Sequence, residues 1–366
     1  MTQIGIALLT EGGGTYPNDV RVQLPAAARE VSEHLVPREY VVSTSIRDGW
    51  RAASRLRARL LADNMGVIHA VSPGVASIAA RWLSVRMELP LIASYYGTTG
   101  TTPRFGRWLY EDWLFGKGAT IVVHSASAGA EVVRAGWSGQ DRLVVAQPGV
   151  DPIRFSPGKR STALRESWRV SDRRPAIICT GPLSRCELDL LSRIRAILDE
   201  YRRPHRFIVV GQSAHLLGWE RALPDAALVG ERDDASLGIA LASGDIFLSV
   251  GQAAYPDPGS TLLMAQASGL PVIAANSGGR PEAMVEGLTG HLCRPGSEQD
   301  FVWRTAELLA NTCRRAAMAA SAATYARSRT WAAALAPIIK AYGDVSLQRT
   351  RVNGGVTAVG VRVRAS

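Results

Sequence analysis

Cysteine is scarce in this chain. The four among its 366 residues, at positions 179, 186, 293 and 313, have neither the density of a disulfide scaffold nor the spacing of a metal site. A reducing compartment, the cytoplasm, is the simple expectation. No apolar run reaches the ~20 residues of a membrane span. Residues Gln3 to Leu9 read as a strand without a basic leader, so no signal peptide is expected. Aromatic residues make up 7% and do not interleave with basic ones in a binding motif, so nucleic acid is not expected as a partner. There is no Gly-x-x-x-x-Gly-Lys-Ser/Thr loop, so no P-loop is expected, and no Asp-x-Asp motif argues for a bound metal.

Acidic residues are outnumbered, 32 against 42 basic, for a net charge of +10. This favours solubility, or attraction of an anionic nucleotide or membrane face. At 46% hydrophobic residues and this length, the chain can build two domains with substantial cores.

The pattern alternates short apolar strands with helices throughout, which predicts an α/β fold. In the first half, strands are expected at 3–9, 39–43, 66–69, 90–94, 120–124 and 143–145. Helices are expected at 20–31, 50–61, 75–86, 108–115 and up to Ala135. Ser125 caps the last of these. A Gly-rich turn, Gly12-Gly13-Gly14, follows the first strand and is suited to close approach of a phosphate or sugar, or is simply a flexible turn. The helix at 50–61 carries Arg51, Arg55, Arg57 and Arg59. It is a solvated face or a peripheral membrane contact. Pro148, Gly149, Pro152 and Pro157 mark a linker.

In the second half, strands are expected at 175–180, 206–210, 227–230, 246–250 and 272–275, and a helical region at 298–327. The central stretch is Asp245 to Gly290. Its first strand leads to Pro258-Gly259-Ser260-Thr261, a helix at 262–268, then Gly269-Leu270-Pro271 and the second strand. Ser260 is expected as the N-cap, and the amides of Gly259, Ser260 and Thr261 as a phosphate site at the positive end of the helix. Loops at the carboxyl ends of neighbouring parallel strands are where open α/β sheets bind ligands.

This stretch resembles the family 4, group 1 glycosyltransferases. Met264 to Val272 stands in place of the family's Glu-Ala-Met-Ala-Ser-Gly-Leu-Pro-Val. Gly278, Gly279 and Glu282 match Gly-Gly-x-x-Glu, and Gly287, Thr289 and Gly290 match Gly-x-Thr-Gly. Val67 to Gly74 resembles Val-Val-His-Ala-His-Ser-Pro-Gly, and Gln147 to Pro157 resembles the family linker. The resemblance implies the GT-B fold, with two Rossmann-like domains facing across a cleft. An acceptor-side domain would span 1–150 and a nucleotide-sugar domain 151–330. A helix at 331–343 would cross back onto the first domain, and 344–366 would be a tail.

The resemblance also implies retaining transfer of a sugar from a nucleoside diphosphate, GDP as first expectation and UDP as second. Several family positions have changed. The Glu-x7-Glu pair is Pro256 and Met264 here; Asp257, one place on, is the candidate to hold the donor sugar. Tyr96 stands where many relatives have a His; it can donate a hydrogen bond, but a phenol is a poor base at neutral pH. Pro182 occupies the position of the arginine that clamps the diphosphate, which leaves Arg185 as the cation for this role beside Gly181. The corresponding second loop contributes Gly211, and Gly230, Glu231 and Arg232 are implied near the base. No tightly bound cofactor is implied. The partners are a nucleotide sugar and an acceptor, with oligomeric state open. Three readings follow: transfer to a small-molecule acceptor, O- or S-linked, as in natural-product biosynthesis; a non-catalytic nucleotide or partner binder; and a sugar transferase on lipid or wall acceptors. Intact phosphate loops favour the first and third readings over the second, and the lost carboxylates and Tyr96 favour the first two over the third; the first is the expectation.

Overall fold

The computed structural model describes residues 3–11, 23–24, 27–28, 34–42, 46–71, 74–95, 112–115, 118–181, 183–211, 219–230, 234–251 and 259–352. The chain divides into two compact units, residues 1–147 with 331–366, and residues 148–330.

Unit 1 carries a six-stranded sheet in the order β2-β1-β3-β4-β5-β6. Its strands are β1 (Ile4–Glu11), β2 (Leu35–Val42), β3 (Met65–Ala70), β4 (Leu91–Tyr95), β5 (Thr120–Val123) and β6 (Leu143–Val145). All pair in parallel. A parallel sheet buries both faces, and β1 does so by alternation. Ala7 and Leu9 enter one core with α1 (Ile46–Ala62), α2 (Val75–Met87) and α3 (Ala126–Arg134), while Ile6 and Leu8 enter the other. Ser125 caps α3 as expected, accepting from the amide of Ala128 at 3.1 Å. In α1, Leu56 and Leu60 are buried while Arg55, Arg57 and Arg59 are exposed. Strand β2 begins four residues before the expected Glu39 and runs through Pro37. It lies at the sheet edge, where a residue without an N–H is tolerated.

Unit 2 carries a second parallel sheet, in the order β12-β11-β10-β7-β8-β9. The strands are β7 (Ala176–Thr180), β8 (Arg206–Val210), β9 (Ala227–Val229), β10 (Ile246–Ser249), β11 (Val272–Ala275) and β12 (Gly290–Cys293). The same alternation recurs in β7, where Ala176 and Ile178 enter one core and Ile177 and Cys179 the other. The helices are α4 (Thr162–Ser167), α5 (Arg185–Glu200), α6 (Trp219–Ala222), α7 (Asp234–Ala242), α8 (Ser260–Ala267), α9 (Glu298–Ala310) and α10 (Thr312–Arg327). The helical region 298–327 is thus two helices. Asn311 leaves helical geometry between them and caps α10 through its Oδ1.

At the amino ends of the strands, Asp245 is a fastening point. One carboxylate oxygen accepts from the amide of Ala176 at 2.8 Å and from Arg165 at 2.9 Å. The other accepts from Arg160 at 2.8 Å. The last helix, α11 (Trp331–Val352), belongs to unit 1 and packs Leu335, Ile338, Ile339 and Tyr342 against Ile6, Leu8 and Ile92. It runs past the expected end at 343, because Val345 is also buried in that core. Residues 344–352 are therefore helix and not tail. Among the described residues no helix is long and apolar enough to cross a membrane.

Candidate functional site

In unit 2 the strand order reverses between β7 and β10, which follow one another in space but not in sequence. In open α/β sheets, such a point is where ligands bind, outside the carboxyl ends of the strands. Gly181 follows β7, Gly211 follows β8, Gly230 follows β9, Gly251 lies just beyond β10, and Ser277 to Arg280 follow β11.

Gly181 and Gly211 abut. A Cβ on Gly211 would stand 3.0 Å from the carbonyl oxygen of Gly181, and Gly211 has φ +131°, where only glycine is at ease. Their amides are taken by the sheet, Gly181 donating to Val210 at 2.8 Å and Gly211 to Val229 at 3.0 Å. Their contribution is therefore absence of a side chain at the edge, not free donors. Gly230 is exposed, with nothing near the position of a Cβ.

The start of α8 differs from the expected one. The helix begins at Ser260, so Ser260 is its first helical residue and not its cap. Gly259 takes the cap position in left-handed geometry, φ 87° and ψ 14°. The expectation failed because the turn into the helix is left-handed, which suits a glycine and not a serine. Gly259 packs so tightly that a Cβ would collide with Ala283, and only glycine adopts that turn without strain. The phosphate logic survives the change. The first bond of the helix runs from Leu263 to Gly259, so the amides of Ser260, Thr261 and Leu262 lie in its first turn without an acceptor inside the helix.

Arg185 is the first residue of α5 and is exposed; among the described residues it makes no ion pair. The turn before it is held by a capping box. Ser184 Oγ accepts from the amide of Glu187 at 3.3 Å, and Glu187 Oε2 accepts from that of Ser184 at 2.5 Å. Cys186 beside it is exposed. Cys179, on β7, is fully buried; burial, with Glu187 adding, pushes its thiol up and makes it inert.

A cation that the sequence reading did not single out also lies at this edge. Arg280, 5% exposed, donates through Nη1 to the carbonyl of Gly251 and to Ser277 Oγ at 3.2 Å. Its Nη2 stands 3.1 Å, and Glu187 Oε1 2.5 Å, from where a Cβ on Gly251 would be. Residues that follow β7, β10 and β11 thus meet over Gly251. The signal was in the sequence, since Arg280 is the third residue of the Gly278-Gly279-Arg280-Pro281-Glu282 run. Met264, in place of a family carboxylate, packs against the apolar core of the unit. Gly12, Gly13, Gly14, Tyr96, Glu231, Arg232 and Asp257 lie outside the described residues.

Comparisons with known proteins bear on the family and the fold. A model described as glycosyl transferases group 1 matches residues 174–311, and one described as glycosyltransferase family 4 matches residues 12–154. The sulfoquinovosyl transferase of Arabidopsis thaliana is 29% identical over 289 residues, 74% of this chain and 55% of the relative. A GDP-mannose-dependent alpha-mannosyltransferase of Corynebacterium glutamicum is 26% identical over 304 residues, 79% of this chain and 70% of the relative. A D-inositol 3-phosphate glycosyltransferase of Stackebrandtia nassauensis is 28% identical over 273 residues, 69% of this chain and 60% of the relative. The match therefore spans between 55% and 70% of the length of these relatives. Among solved structures, a glycosyltransferase from Rickettsia africae superposes with a TM-score of 0.77 at 15% identity, covering 94% of this chain and 99% of that one. Anabaena HepE in complex with UDP-glucose gives 0.75 at 16% identity, covering 95% and 100%.

Proposed function

The chain belongs to the family 4, group 1 glycosyltransferases and has the GT-B fold, and from that premise we propose that it transfers a sugar from a nucleoside diphosphate to a small-molecule acceptor, with retention. One observation carries this reading. The glycines after β7, β8 and β10 leave side-chain-free backbone at the strand ends, where the first turn of α8 also presents its amides. The diphosphate would lie on the amides of Ser260 and Thr261, at the positive end of α8. Arg185 would face it from the start of α5, and the base would lie near Gly230, Glu231 and Arg232. Stabilising the leaving diphosphate is the largest service a protein renders in such a transfer.

GDP is the first choice of nucleotide and UDP the second. The mannosyltransferase relative is named for GDP-mannose, and HepE was solved with UDP-glucose. Asp257 would hold the donor sugar, and Tyr96 and Gly12 to Gly14 would serve the acceptor. An acceptor that is already nucleophilic, such as a thiolate, needs little help from a base. Relatives named for D-inositol 3-phosphate make a polyol phosphate the second acceptor class. Calorimetry against GDP and UDP is the first test, with micromolar binding of one expected. Transfer is then assayed by mass from sugars of the tighter nucleotide to thiols, small alcohols and inositol phosphate. Absence of binding to either nucleotide overturns the donor site. Tight binding with no product from any acceptor leaves a nucleotide-binding relative in place of an enzyme.

A further inference from the structure

We propose that Arg280 is a fixed cation of the donor diphosphate site, a role that rests on the donor reading above and adds a residue to it. The guanidinium of Arg280 is 5% exposed and is held among the strand ends. Three features carry the proposal. The backbone of Arg280 lies against the turn that starts α8, its Cα 3.7 Å from where a Gly259 Cβ would be. Its Nη1 is anchored on the carbonyl of Gly251 and on Ser277 Oγ, which fixes the plane of the fork. Its Nη2 and Glu187 Oε1 both border the space that glycine leaves at position 251.

The anchors are the ends of β10 and of the β11 loop, so the fork is held by backbone that the fold already fixes. A preorganised fork binds phosphate bidentately with little reorganisation. Arg185 is exposed on the helix rim, where water screens its charge. Pro182 carries none. Arg280 is therefore the cation whose field reaches a diphosphate on α8 least screened.

The test is a phosphate-number series. Affinities of nucleoside, monophosphate and diphosphate, guanosine or uridine according to the tighter nucleotide, are measured for wild type and Arg280→Gln. Folding is checked by thermal unfolding. The diphosphate should bind about tenfold or more weaker in the variant, the monophosphate less affected and the nucleoside unchanged. A merely structural role would weaken all three alike, and that result overturns the proposal, as does an unchanged diphosphate affinity. If Arg280→Gln does not fold, Arg280→Met replaces it, since an unbranched apolar side chain suits a buried position and removes the charge, and the same graded loss is expected. Affinities for the series unchanged from wild type in Arg280→Met overturn the proposal too. If the wild type itself binds no diphosphate, the donor reading has failed, and the Arg280 role, which rests on it, is overturned with it.

Discussion

His69 Nδ1 and Tyr342 Oη stand 2.7 Å apart inside unit 1, joining residues 273 positions apart in the chain. The other ring nitrogen of His69 lies 3.0 Å from Ser94 Oγ. The imidazole thus bridges β3, β4 and α11 and is fully buried. Burial, with the nearby His124, pushes its pKa down to about 3. The ring stays neutral in the native state while the unfolded ring titrates near ~6.5. Above that pH both states are neutral and the bridge is at full strength. As pH falls from ~6.5 towards 3, the unfolded state gains a proton that the native state refuses, and stability drops by about 1.4 kcal/mol per pH unit. Urea unfolding at pH 7, 6, 5 and 4 should give a shallower acid decline, by one proton, for His69→Gln. Tyr342→Phe should cost roughly 1–3 kcal/mol at pH 7 by leaving a ring nitrogen unpaired.

At the opposite end of unit 2 from the proposed donor site, Asp245 separates stability from binding. Asp245→Ala leaves the Arg165 guanidinium, largely buried, and the Ala176 amide without their partner. Breaking such a pair should cost about 3 kcal/mol or more. Nucleotide affinity at a temperature where the variant is folded should match wild type, because the carboxylate lies at the amino end of β10. A parallel fall in affinity would show that the two ends of the sheet are not independent.

Gly259 and Gly287 make a matched pair of glycine tests. Both have positive φ, +87° and +74°, so alanine carries a similar backbone penalty of roughly 1 kcal/mol at each. A methyl at 259 collides with Ala283, whereas nothing lies within 4 Å of one at 287. Gly259→Ala should lower nucleotide affinity by a factor of about ten or more through displacement of the α8 start. Gly287→Ala should lower the melting temperature by a few degrees and leave affinity unchanged.

Much of this architecture was legible in the chain because a parallel strand buried on both faces reads as a short, nearly unbroken apolar run. Leu143 to Val145, Arg206 to Val210 and Val272 to Ala275 came out with the bounds expected of them. What escaped depends on partners distant in sequence. Pro37 breaks a strand by local rules, and only its place at a sheet edge admits it. Gly343 and Asp344 are poor helix formers, yet Tyr342 and Val345 hold α11 against the sheet and carry it onward. The cap of α8 is a left-handed glycine pressed on Ala283, which the serine next to it concealed. Arg280 reaches 29 positions back to Gly251, a contact that no periodicity encodes.

Asp257 decides between transfer and binding. It lies two residues before Gly259, outside the described residues, and is the carboxylate closest in sequence to the Pro256 and Met264 positions. Met264 packs in the apolar core and cannot supply the missing charge. If the donor sugar is held by Asp257, Asp257→Asn keeps the shape and removes the charge. It should lower kcat/KM by about tenfold or more, the value of one charge-assisted hydrogen bond, while the affinity for the nucleoside diphosphate stays within about twofold. That split follows because the contact is with the sugar and not with the phosphates. Asn serves equally well in a turn, so a carboxylate that only supports the loop would give a variant as active as wild type. Steady-state kinetics with mass detection, set beside calorimetry on the same two proteins, reads both quantities. Equal kcat/KM would remove Asp257 from the chemistry and leave the diphosphate site to stand alone.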